Sequence, residues 1–407
     1  MMRRACTLVT TLSLVVVACT STASNSPNAD GAAGDSGADS QDGGAPNASQ
    51  AGAAGDFGSV GESGAASETG AAGDSGNGGT STSPKLPEGT LLYVRHETAD
   101  QDVLVALDLD SGDERVVTDL TGDGSSGWEI DGYALSADRR RIALASLYAP
   151  TAADTATGLA TRAIWTLTTD GRDFRRLTPT FPNDAKGRKA FQHDVGGPEW
   201  TASGAEVLYD FGTYWYEGTT LKGATFPWLV AADGKQLPSS FPTSTDCSIL
   251  HPARNPVTGE LLFIHSVCIP GQGDGDGLYL YPADGSTNPQ QIISSTRAAD
   301  GIDVFLAKPS WFADGSGFLF IGGTADTDWR PSLLAYDGTE NKVGMLMPAA
   351  TGETIYSVSI SADASKIVYC VHDNDSGDED LRLIDLSGAT ATDSALTTDG
   401  KSCDPSF

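Results

Sequence analysis

The densest groups of carboxylates in the sequence lie in two short loops that also contain glycine, 373–380 and 273–277. Carboxylates that alternate around a glycine are typical of calcium-binding loops, because Ca²⁺ takes about six to eight oxygen ligands at about 2.4 Å. Neither loop has the complete pattern with a terminal Glu, so solvated turns are the alternative. The sequence therefore suggests calcium as a cofactor that the protein could bind but does not require. The candidate ligands are Asp373, Asp375 and Asp378 in the first loop and Asp274 and Asp276 in the second.

The five histidines are the candidate ligands for a transition metal. His251 is predicted to lie toward one face of the molecule. The other four are predicted to lie toward the opposite face: His96, His193, His265 and His372. A zinc-type site needs about three such ligands around one ion. Because the four histidines belong to four different groups of strands, we expect them to lie too far apart to share an ion.

Nucleophilic catalysis has no motif in this sequence. There is no Gly-x-Ser-x-Gly elbow, no βαβ region that could form a hydrolase domain, and no glycine-rich loop between a strand and a helix. We therefore expect a protein without catalytic activity.

The N-terminus has the features of a secretory signal. Arg3 and Arg4 precede an apolar run from Leu8 to Ala18, and the run ends in Val-Val-Ala followed by Cys19. This end resembles a bacterial lipobox, in which Cys19 would become the lipidated first residue after removal of residues 1–18. The alternative is an ordinary signal peptide with a cysteine by chance. Because the next residue is Thr rather than Asp, the resemblance implies an outer-membrane lipoprotein, facing the periplasm or the outside.

Residues 19–84 differ in composition from the rest of the chain. They are almost entirely Gly, Ala, Ser, Thr, Asp and Asn, with Phe57 as the single aromatic residue and no Lys or Arg. Such a segment buries too little apolar surface to offset its ordering entropy, so it is predicted to be a disordered tether. The folded part is then 85–407. With 54 acidic and 25 basic residues the chain has a net charge of −29, which disfavours nucleic acid and anionic membrane surfaces as partners.

The folded part consists of short apolar runs separated by Asp, Gly, Ser and Pro, which predicts an all-β protein. Tight turns of Asp-Gly type recur six times, about 50 to 63 residues apart, beginning at Asp110, Asp170, Asp233, Asp284, Asp337 and Ser387. This interval is typical of a propeller blade of four strands.

A second motif lies between these turns. Four copies occur, at 135–138, 200–204, 311–315 and 360–363, with a looser fifth at 249–252. They resemble the Trp-Ser-Pro-Asp-Gly repeats of TolB-type β-propellers, with Ala in place of Pro in the four copies. The resemblance covers nearly all of 85–407 and implies a six-bladed propeller.

The sixth copy is divided between the two ends of the folded part. The chain ends in Asp404-Pro405-Ser406-Phe407, which matches the first half of the motif, and the folded part begins with the second half at Pro87. The C-terminal strand is therefore predicted to be the innermost strand of the N-terminal blade and to close the ring, which protects the sheet edges. The alternative is a five-bladed protein with a frayed end.

In a propeller of this kind an acidic residue would stand just before each innermost strand: Asp131, Asp194, Asp246, Asp303, Glu353 and Asp404. A ring of like charges at the channel mouth would attract cations or a basic partner segment. The alternative is that each carboxylate accepts hydrogen bonds within its own turn.

Six cysteines are present, of which Cys6 leaves with the signal and Cys19 takes the lipid. The remaining four thiols allow three pairings in an oxidising compartment. Cys247 and Cys268 flank one turn and could face each other, which would leave Cys370 to pair with Cys403 and hold the closing strand. The alternative is that Cys370 is a buried thiol.

The sequence thus favours a monomeric, lipid-anchored module of the bacterial cell envelope that binds a protein or peptide segment and touches the membrane only through its lipid. The insert from Gly212 to Thr225, with Tyr214, Trp215 and Tyr216, is the predicted partner-binding loop. The alternative is an enzyme, a divalent-cation-dependent lyase or hydrolase with its site at the channel mouth.

Overall fold

The computed structural model describes ten segments of the chain: 83–98, 101–121, 129–149, 162–179, 191–217, 220–241, 247–268, 275–283, 289–388 and 390–407. It also describes the backbone of a short antiparallel hairpin of β1 (Thr7–Thr11) and β2 (Leu14–Ala18). The side chains of 121, 191–194 and 214–222 are outside this description, as are Cys19 and the tether up to residue 82.

Six four-stranded antiparallel blades make up the folded part, which confirms the all-β, six-bladed propeller. Blade 1 contains β27 (Ser402–Ser406), β3 (Thr90–Thr98), β4 (Gln101–Asp108) and β5 (Glu114–Thr121). Blade 2 contains β6 (Ile130–Leu135), β7 (Arg141–Ser146), β8 (Ala163–Thr168) and β9 (Arg175–Arg176). Blade 3 contains β10 (Phe191–Trp200), β11 (Glu206–Glu217), β12 (Thr220–Ala231) and β13 (Ser239–Ser240). Blade 4 contains β14 (Ser248–Arg254), β15 (Leu261–Ser266), β16 (Gly277–Tyr281) and β17 (Gln290–Ser294).

Blade 5 differs in that its innermost strand is divided into β18 and β19, which both pair with β20. Its strands are β18 to β22 (Asp303–Val304, Ser310–Trp311, Gly317–Gly323, Ser332–Asp337, Lys342–Met347), with a 3₁₀ turn at Ala325–Thr327, and blade 6 contains β23 to β26 (Glu353–Ile360, Lys366–Asp373, Glu379–Asp385, Thr392–Ala395). Among the residues that the structure describes, no helix has the length and apolar character needed to cross a membrane.

The turn between the first and second strands has the same local structure in blades 2, 3, 5 and 6. Its fourth residue has positive φ and donates from its main-chain N to the carbonyl oxygen of the first residue; in blade 4 the fifth residue, Gly259, does so. The four residues are Arg139, Gly204, Gly315 and Ala364. A side-chain oxygen at the start of the turn accepts main-chain hydrogen bonds, as the Ser361 hydroxyl does from Lys366 N at 2.9 Å. The looser motif copy predicted at 249–252 is wrong in position, because those residues lie inside β14 and the turn of blade 4 follows Arg254.

The tryptophans of the motif join neighbouring blades. Trp200, at the end of β10, donates from its indole nitrogen to Ala134 O of β6 at 3.0 Å, and Trp311 donates to Ala253 O of β14 at 3.0 Å. Each indole thus satisfies a carbonyl group of the preceding innermost strand while its ring fills the space between two sheets.

The C-terminal strand closes the ring as the divided motif predicts. Strand β27 pairs with β3 through Ser402 opposite Arg95, Cys403 opposite Val94 and Ser406 opposite Leu92. Arg139 of blade 2 supports this junction, since its guanidinium donates to the carbonyl oxygens of Leu86, Pro87 and Thr90 at 2.9–3.2 Å.

Apolar clusters between neighbouring blades form the core. Strand β3 shows why its run of consecutive apolar residues is required: Leu91 and Tyr93 pack toward Val368 and Cys370 of blade 6, whereas Leu92 and Val94 pack toward blade 2. Both faces of the sheet are therefore covered, and alternation of polar and apolar residues is not expected in this strand.

Substituting Gly171 by Ala is expected to lower the free energy of unfolding by about 2–4 kcal/mol, measured by urea denaturation. Gly171 has φ +77°, and a Cβ there would collide with Val117 O of blade 1. Gly112→Ala is the matched control, because Gly112 also has φ +77° but nothing lies within 4 Å of the point that its new methyl group would occupy. Equal losses in the two variants would contradict a close approach between blades 1 and 2 at this turn.

Candidate functional site

A cavity of about 440 Å³ lies at the centre of the ring. Residues of the innermost strands of all six blades line it, from the middle of each strand to the turn that follows. A cavity of this size, lined by both polar and apolar groups, can hold a small ligand or a short peptide segment.

Irregularities in the innermost strands bring side chains to this cavity. The register shifts in five of these strands, between Ile130 and Tyr133, Gly196 and Glu199, Leu250 and Ala253, Ile355 and Ser357, and Cys403 and Ser406. A bulge releases a residue from the hydrogen-bonded ladder and changes the direction of its side chain. Asp131, His251, Tyr356 and Asp404 lie at such positions and line the cavity.

Of the six predicted acidic residues, the structure brings two to the cavity, Asp131 and Asp404. Asp303 instead forms an ion pair with Arg297 at 2.7 Å and accepts from the Ser295 hydroxyl, and Glu353 does not belong to the lining. The side chain of Asp194 and the whole of Asp246 lie outside the described residues. Both carboxylates that line the cavity lie at the bulge of their innermost strand, whereas the sequence predicted them just before that strand.

Asp404 is a carboxylate of the cavity wall whose pKa is strongly raised. Burial raises its pKa to about 6, and the nearby carboxylates of Glu379 and Asp131 act in the same direction, while His96 opposes them. Its main-chain carbonyl accepts a hydrogen bond of 2.6 Å from the Tyr133 hydroxyl of blade 2. A carboxyl group with this pKa changes its charge close to neutral pH.

Replacing Asp404 by Asn is expected to stabilise the protein by about 1–3 kcal/mol at pH 8 and to have little effect near pH 4. The pKa of Asp404 is raised on folding from 3.8 to about 6, so its contribution to stability is present below pH 3.8 and is lost as the pH rises through 6. Urea denaturation at both pH values measures this.

Asp363→Asn is the control of opposite sign. Hydrogen bonds from Ser361 and Ser365 lower the pKa of Asp363 to about 2, so this carboxylate stabilises the protein above pH 4 and the variant should be weaker at pH 8. A destabilised Asp404→Asn variant at pH 8 would contradict the unfavourable burial of this charge.

His251 and Asp210 form a second titratable pair beside the cavity. His251 Nδ1 lies 3.8 Å from Asp210 Oδ2, and Asp210 accepts from the main-chain N of His251 at 2.9 Å. Desolvation and the charge of Lys308 lower the pKa of His251 to about 4, and burial raises the pKa of Asp210 well above its usual value. The imidazole is therefore neutral at pH 7. The cavity extends to the turns that follow the innermost strands, so this position agrees with the prediction that His251 lies toward the end opposite to the loops that enter these strands.

Lys308 of blade 5 also lines the cavity, and its charge is paired. Its ammonium group contacts Glu199 Oε2 at 2.7 Å and donates to Pro198 O at 3.0 Å. This cation and this carboxylate compensate each other, and Asp131 likewise has a cation nearby, since Arg162 Nη1 lies 3.7 Å from its Oδ2.

Two other histidines approach Glu379 from the two sides of the seam between blades 1 and 6. His96 Nδ1 lies 2.7 Å from Asp102 Oδ1 and its Nε2 lies 3.8 Å from Glu379 Oε2. His372 Nδ1 lies 3.3 Å from Glu379 Oε1, and its ring stacks on Tyr356 with centroids 4.8 Å apart. The hydrogen bond to Asp102 and nearby carboxylates raise the pKa of His96 despite its burial.

His96 and His372 thus approach one carboxylate from two blades, but among the described residues they do not form a group of three donor atoms within 4.8 Å, which agrees with the expectation that histidines of different blades lie too far apart to share an ion. A sequence signal for this approach exists: His96 and Asp102, and likewise His372 and Glu379, are cross-strand partners at the same place in adjacent blades. The pattern of a histidine near the end of one strand and an acidic residue near the start of the next occurs twice in the sequence, and it could have been used to predict both pairs.

The other histidines have different surroundings. His265 is buried, stacks on Tyr279 with centroids 3.8 Å apart, and lies 2.8 Å from the Tyr281 hydroxyl through its Nε2. It is therefore part of the packing of blade 4. The side chain of His193 lies outside the described residues.

The predicted calcium loops form hydrogen-bonded turns where they are described. Asp373 Oδ1 accepts from the main-chain N of Asp375 and of Ser376, both at 2.9 Å, and thereby closes its own turn. Asp375 and Asp378 are exposed. Asp276 accepts from Cys268 N at 2.9 Å, and Asp274 lies outside the described residues. Calcium at these loops stays a prediction.

The four cysteines form two disulfides, Cys247 with Cys268 and Cys370 with Cys403. Among the described residues, two groups hold three metal-binding donor atoms within 4.8 Å of one another, and each contains both sulfurs of one disulfide. Oxidised sulfurs are not thiolate ligands, so these groups serve to cross-link the chain.

The predicted partner-binding residues Tyr214, Trp215 and Tyr216 lie on β11, where each backbone position is paired with β12. Their side chains are outside the described residues. The backbone of this insert is thus a long hairpin, and its role in binding stays a prediction.

No family model and no curated protein matches the chain. Solved structures do resemble it. TolB from Acinetobacter baumannii is 16% identical with a TM-score of 0.52, and the match covers 78% of this chain and 66% of TolB. Hydrazine synthase from Kuenenia stuttgartiensis is 14% identical with a TM-score of 0.52, covering 79% of this chain and 47% of that one. Oligogalacturonate lyase from Vibrio parahaemolyticus is 12% identical with a TM-score of 0.45, covering 77% and 76%.

This chain therefore spans slightly less than two thirds of the A. baumannii TolB and about half of the hydrazine synthase chain. At these identities the likeness concerns the fold. The fold is a TolB-like six-bladed β-propeller.

Proposed function

We propose that this TolB-like propeller is a lipid-anchored module of the bacterial cell envelope that binds a protein or peptide segment at its central channel and does not catalyse a reaction. The observation that carries the proposal is the 440 Å³ cavity to which all six blades contribute, with Asp131 and Asp404 on its wall.

The chemistry of the cavity wall suggests the character of the bound segment. Asp404 favours a basic group near it, whereas the other lining carboxylates already face cations, Asp131 with Arg162 and Glu199 with Lys308. Tyr356 and Leu306 add apolar surface, since they line the cavity while 44% and 56% exposed. A segment that combines a lysine or arginine with an apolar side chain fits this wall. The net charge of −29 acts in the same direction at longer range and disfavours nucleic acid.

Crosslinking in the native envelope tests the proposal. A photoreactive amino acid in place of Tyr356 is expected to give a crosslinked adduct, because this position lies on the cavity wall. Leu237 is the control position, since its side chain is 83% exposed and it is not among the residues that line the cavity. It lies after β12, the third strand of blade 3, whereas the lining residues of this blade belong to its innermost strand. The same adduct from both positions, or none from Tyr356, would count against binding at the channel.

The anchor is part of the proposal and rests on the sequence. Residues 1–18 would be removed, Cys19 lipidated, and the propeller held by the tether 19–84 as a monomer on the outer membrane. Cys19→Ser should then move the protein from the membrane fraction to the soluble fraction of the envelope. Retention of this variant in the membrane fraction would contradict lipid anchoring.

A metal-dependent lyase or hydrolase is the second candidate, with the His96 and His372 cluster beside Glu379 as the observation that favours it. Stoichiometric metal in the purified protein, together with turnover of a substrate that disappears on chelation, would favour the enzyme over the binding module.

A further inference from the structure

We infer that the central cavity contains a subsite for one cationic side chain, formed around Asp404, and that a proton taken up by this carboxylate releases the bound side chain. The inference rests on the proposed function, because it requires that a segment binds in the channel. It deepens that function by naming the group that the channel selects, a single ammonium or guanidinium group, and by adding control by pH.

The sequence of β27 places Asp404 on the cavity wall. Pro405 has no main-chain N–H and cannot donate to the ladder between β27 and β3, which is interrupted after Cys403 and resumes at Ser406. Asp404 has φ +51° at this bulge, and its main-chain carbonyl accepts from the Tyr133 hydroxyl at 2.6 Å. This contact with blade 2 holds the backbone of Asp404 and so limits where its carboxylate can meet a ligand.

Asp404 differs from the other carboxylates of the lining in the compensation of its charge. The other two have a cation nearby: Asp131 with Arg162 at 3.7 Å, and Glu199 with Lys308 at 2.7 Å. Among the described residues, Asp404 takes part in no ion pair of this kind, and His96, which acts on it electrostatically, forms its own ion pairs with Asp102 and Glu379. A cationic group of a ligand therefore gains most at Asp404.

The basic residues of the lining oppose a second cation in the bound segment. Arg139 and Arg254 lie where the innermost strands of blades 2 and 4 end, and their guanidinium groups donate to the carbonyl oxygens of Pro87 and Trp200, both at 2.9 Å. These contacts leave their positive charge in place, so a second lysine or arginine would be repelled. One basic side chain between apolar residues fits the cavity better than a polybasic segment.

The groups around Asp404 make its charge sensitive to pH. Four strands contribute charged or polar groups that act on its carboxyl: His96 of β3, Ser357 of β23, Glu379 of β25 and Asp131 of β6. Burial raises the pKa of Asp404 to about 6, and the two carboxylates add to this, whereas His96 and the Ser357 hydrogen bond oppose it. Strand β24 contributes Cys370, which is bonded to Cys403 and uncharged. The carboxyl is thus ionised at pH 7.5 and mostly neutral at pH 5.0.

The size of the effect follows from the fraction of molecules in which Asp404 is ionised. With a pKa of about 6, this fraction falls about tenfold between pH 7.5 and pH 5.0. Because only the ionised form attracts the cation, the apparent affinity falls by the same factor of about ten. Binding at pH 5.0 is accordingly accompanied by release of a proton, since the bound cation favours the ionised carboxylate.

Isothermal titration of the full-length Cys19→Ser protein with the blocked peptide acetyl-Leu-Lys-Leu-amide tests the subsite. We expect binding at pH 7.5 and about tenfold weaker binding at pH 5.0. The lysine remains charged at both pH values, so the change reports on the protein. The same peptide with norleucine in place of lysine keeps the apolar chain without the charge. It should bind about tenfold more weakly at pH 7.5 and show little dependence on pH.

Asp404→Asn assigns the pH dependence to this residue. The variant should bind the lysine peptide about tenfold more weakly at pH 7.5 and lose most of the difference between the two pH values. Because it is expected to be more stable than the parent at pH 8, a failure to fold does not explain its weaker binding. Asp375→Asn removes an exposed carboxylate outside the cavity and is the matched control, with the affinity and the pH dependence of the parent.

Equal affinity for the two peptides, no binding of the lysine peptide at millimolar concentration, or an unchanged pH dependence in Asp404→Asn would overturn the inference. The native segment is tested by repeating the Tyr356 crosslink in the envelope at pH 7.5 and 5.0. We expect the adduct to be lost at pH 5.0 and to be weak at both pH values in Asp404→Asn. An adduct of equal yield at both pH values contradicts the inference and leaves binding at the channel standing, whereas no adduct at either pH contradicts binding at the channel itself.

Discussion

Deleting residues 402–407 is expected to abolish the cooperative unfolding transition and to make the protein aggregate. These residues include β27, the innermost strand of blade 1, and its loss would leave the inner edge of β3 unpaired. The deletion also removes Cys403, which is disulfide-bonded to Cys370, and uncovers Leu91 and Tyr93, which pack in the same cluster. An open edge beside exposed apolar surface favours aggregation. Circular dichroism on heating and size-exclusion chromatography measure both effects.

A circular permutant provides the matched control for this deletion. Joining Phe407 to Pro87 converts the divided motif into an ordinary turn, and new ends between Asp110 and Ser111 open an exposed turn between β4 and β5. This variant keeps β27 and every blade, so it is expected to unfold cooperatively. A folded deletion variant, or a permutant that cannot fold, would contradict closure of the ring by the C-terminal strand.

Removing the Cys370–Cys403 disulfide by a double substitution to Ala is expected to lower the free energy of unfolding by about 3–4 kcal/mol. The bond joins β24 of blade 6 to β27 across 33 residues and so restricts the unfolded chain. It also holds the one strand of blade 1 that is distant in sequence from the other three. Urea denaturation gives the loss, and hydrogen exchange shows where the protein opens.

The Cys247–Cys268 double variant is the control, since this disulfide spans 21 residues within blade 4 and leaves the seam intact. Loop-closure entropy alone predicts about 3 kcal/mol for it. The two double variants should therefore have similar free energies of unfolding, but the regions of the protein that open in them should differ. Faster amide exchange in β27 and β3 is expected only when Cys403 is replaced, and equal protection of these strands in both variants would refute a special role at the seam.

Much of the fold can be predicted from the sequence because the signals are local. Asp-Gly turns mark the hairpin between the third and fourth strands, as at Asp337, where the side chain accepts from Thr339 N. The motif that ends each innermost strand marks the next turn, and its division between Phe407 and Pro87 predicts the closing strand. The motif copy assigned to 249–252 lies inside β14 and not at its end, because the chain after Arg254 contains Pro-Val-Thr-Gly, which differs from the other copies.

The candidate site could be predicted only in part. The sequence predicts an acidic residue near the start of each innermost strand, but a bulge decides whether its side chain reaches the cavity. Asp404 lies at a bulge and lines the cavity, whereas Asp303 forms an ion pair with Arg297. A bulge depends on the register between two strands, which local composition does not specify.

The number of blades, the turns of each hairpin and the meeting of the two chain ends were determined by the sequence itself, because each depends on residues close together in the chain or on a motif whose halves complement each other. The contact of His96 with Glu379, the position of His251 on the cavity wall and the raised pKa of Asp404 were decided only by the tertiary structure. These features depend on how neighbouring blades approach each other, and that approach is set by the packing of all six sheets around one axis.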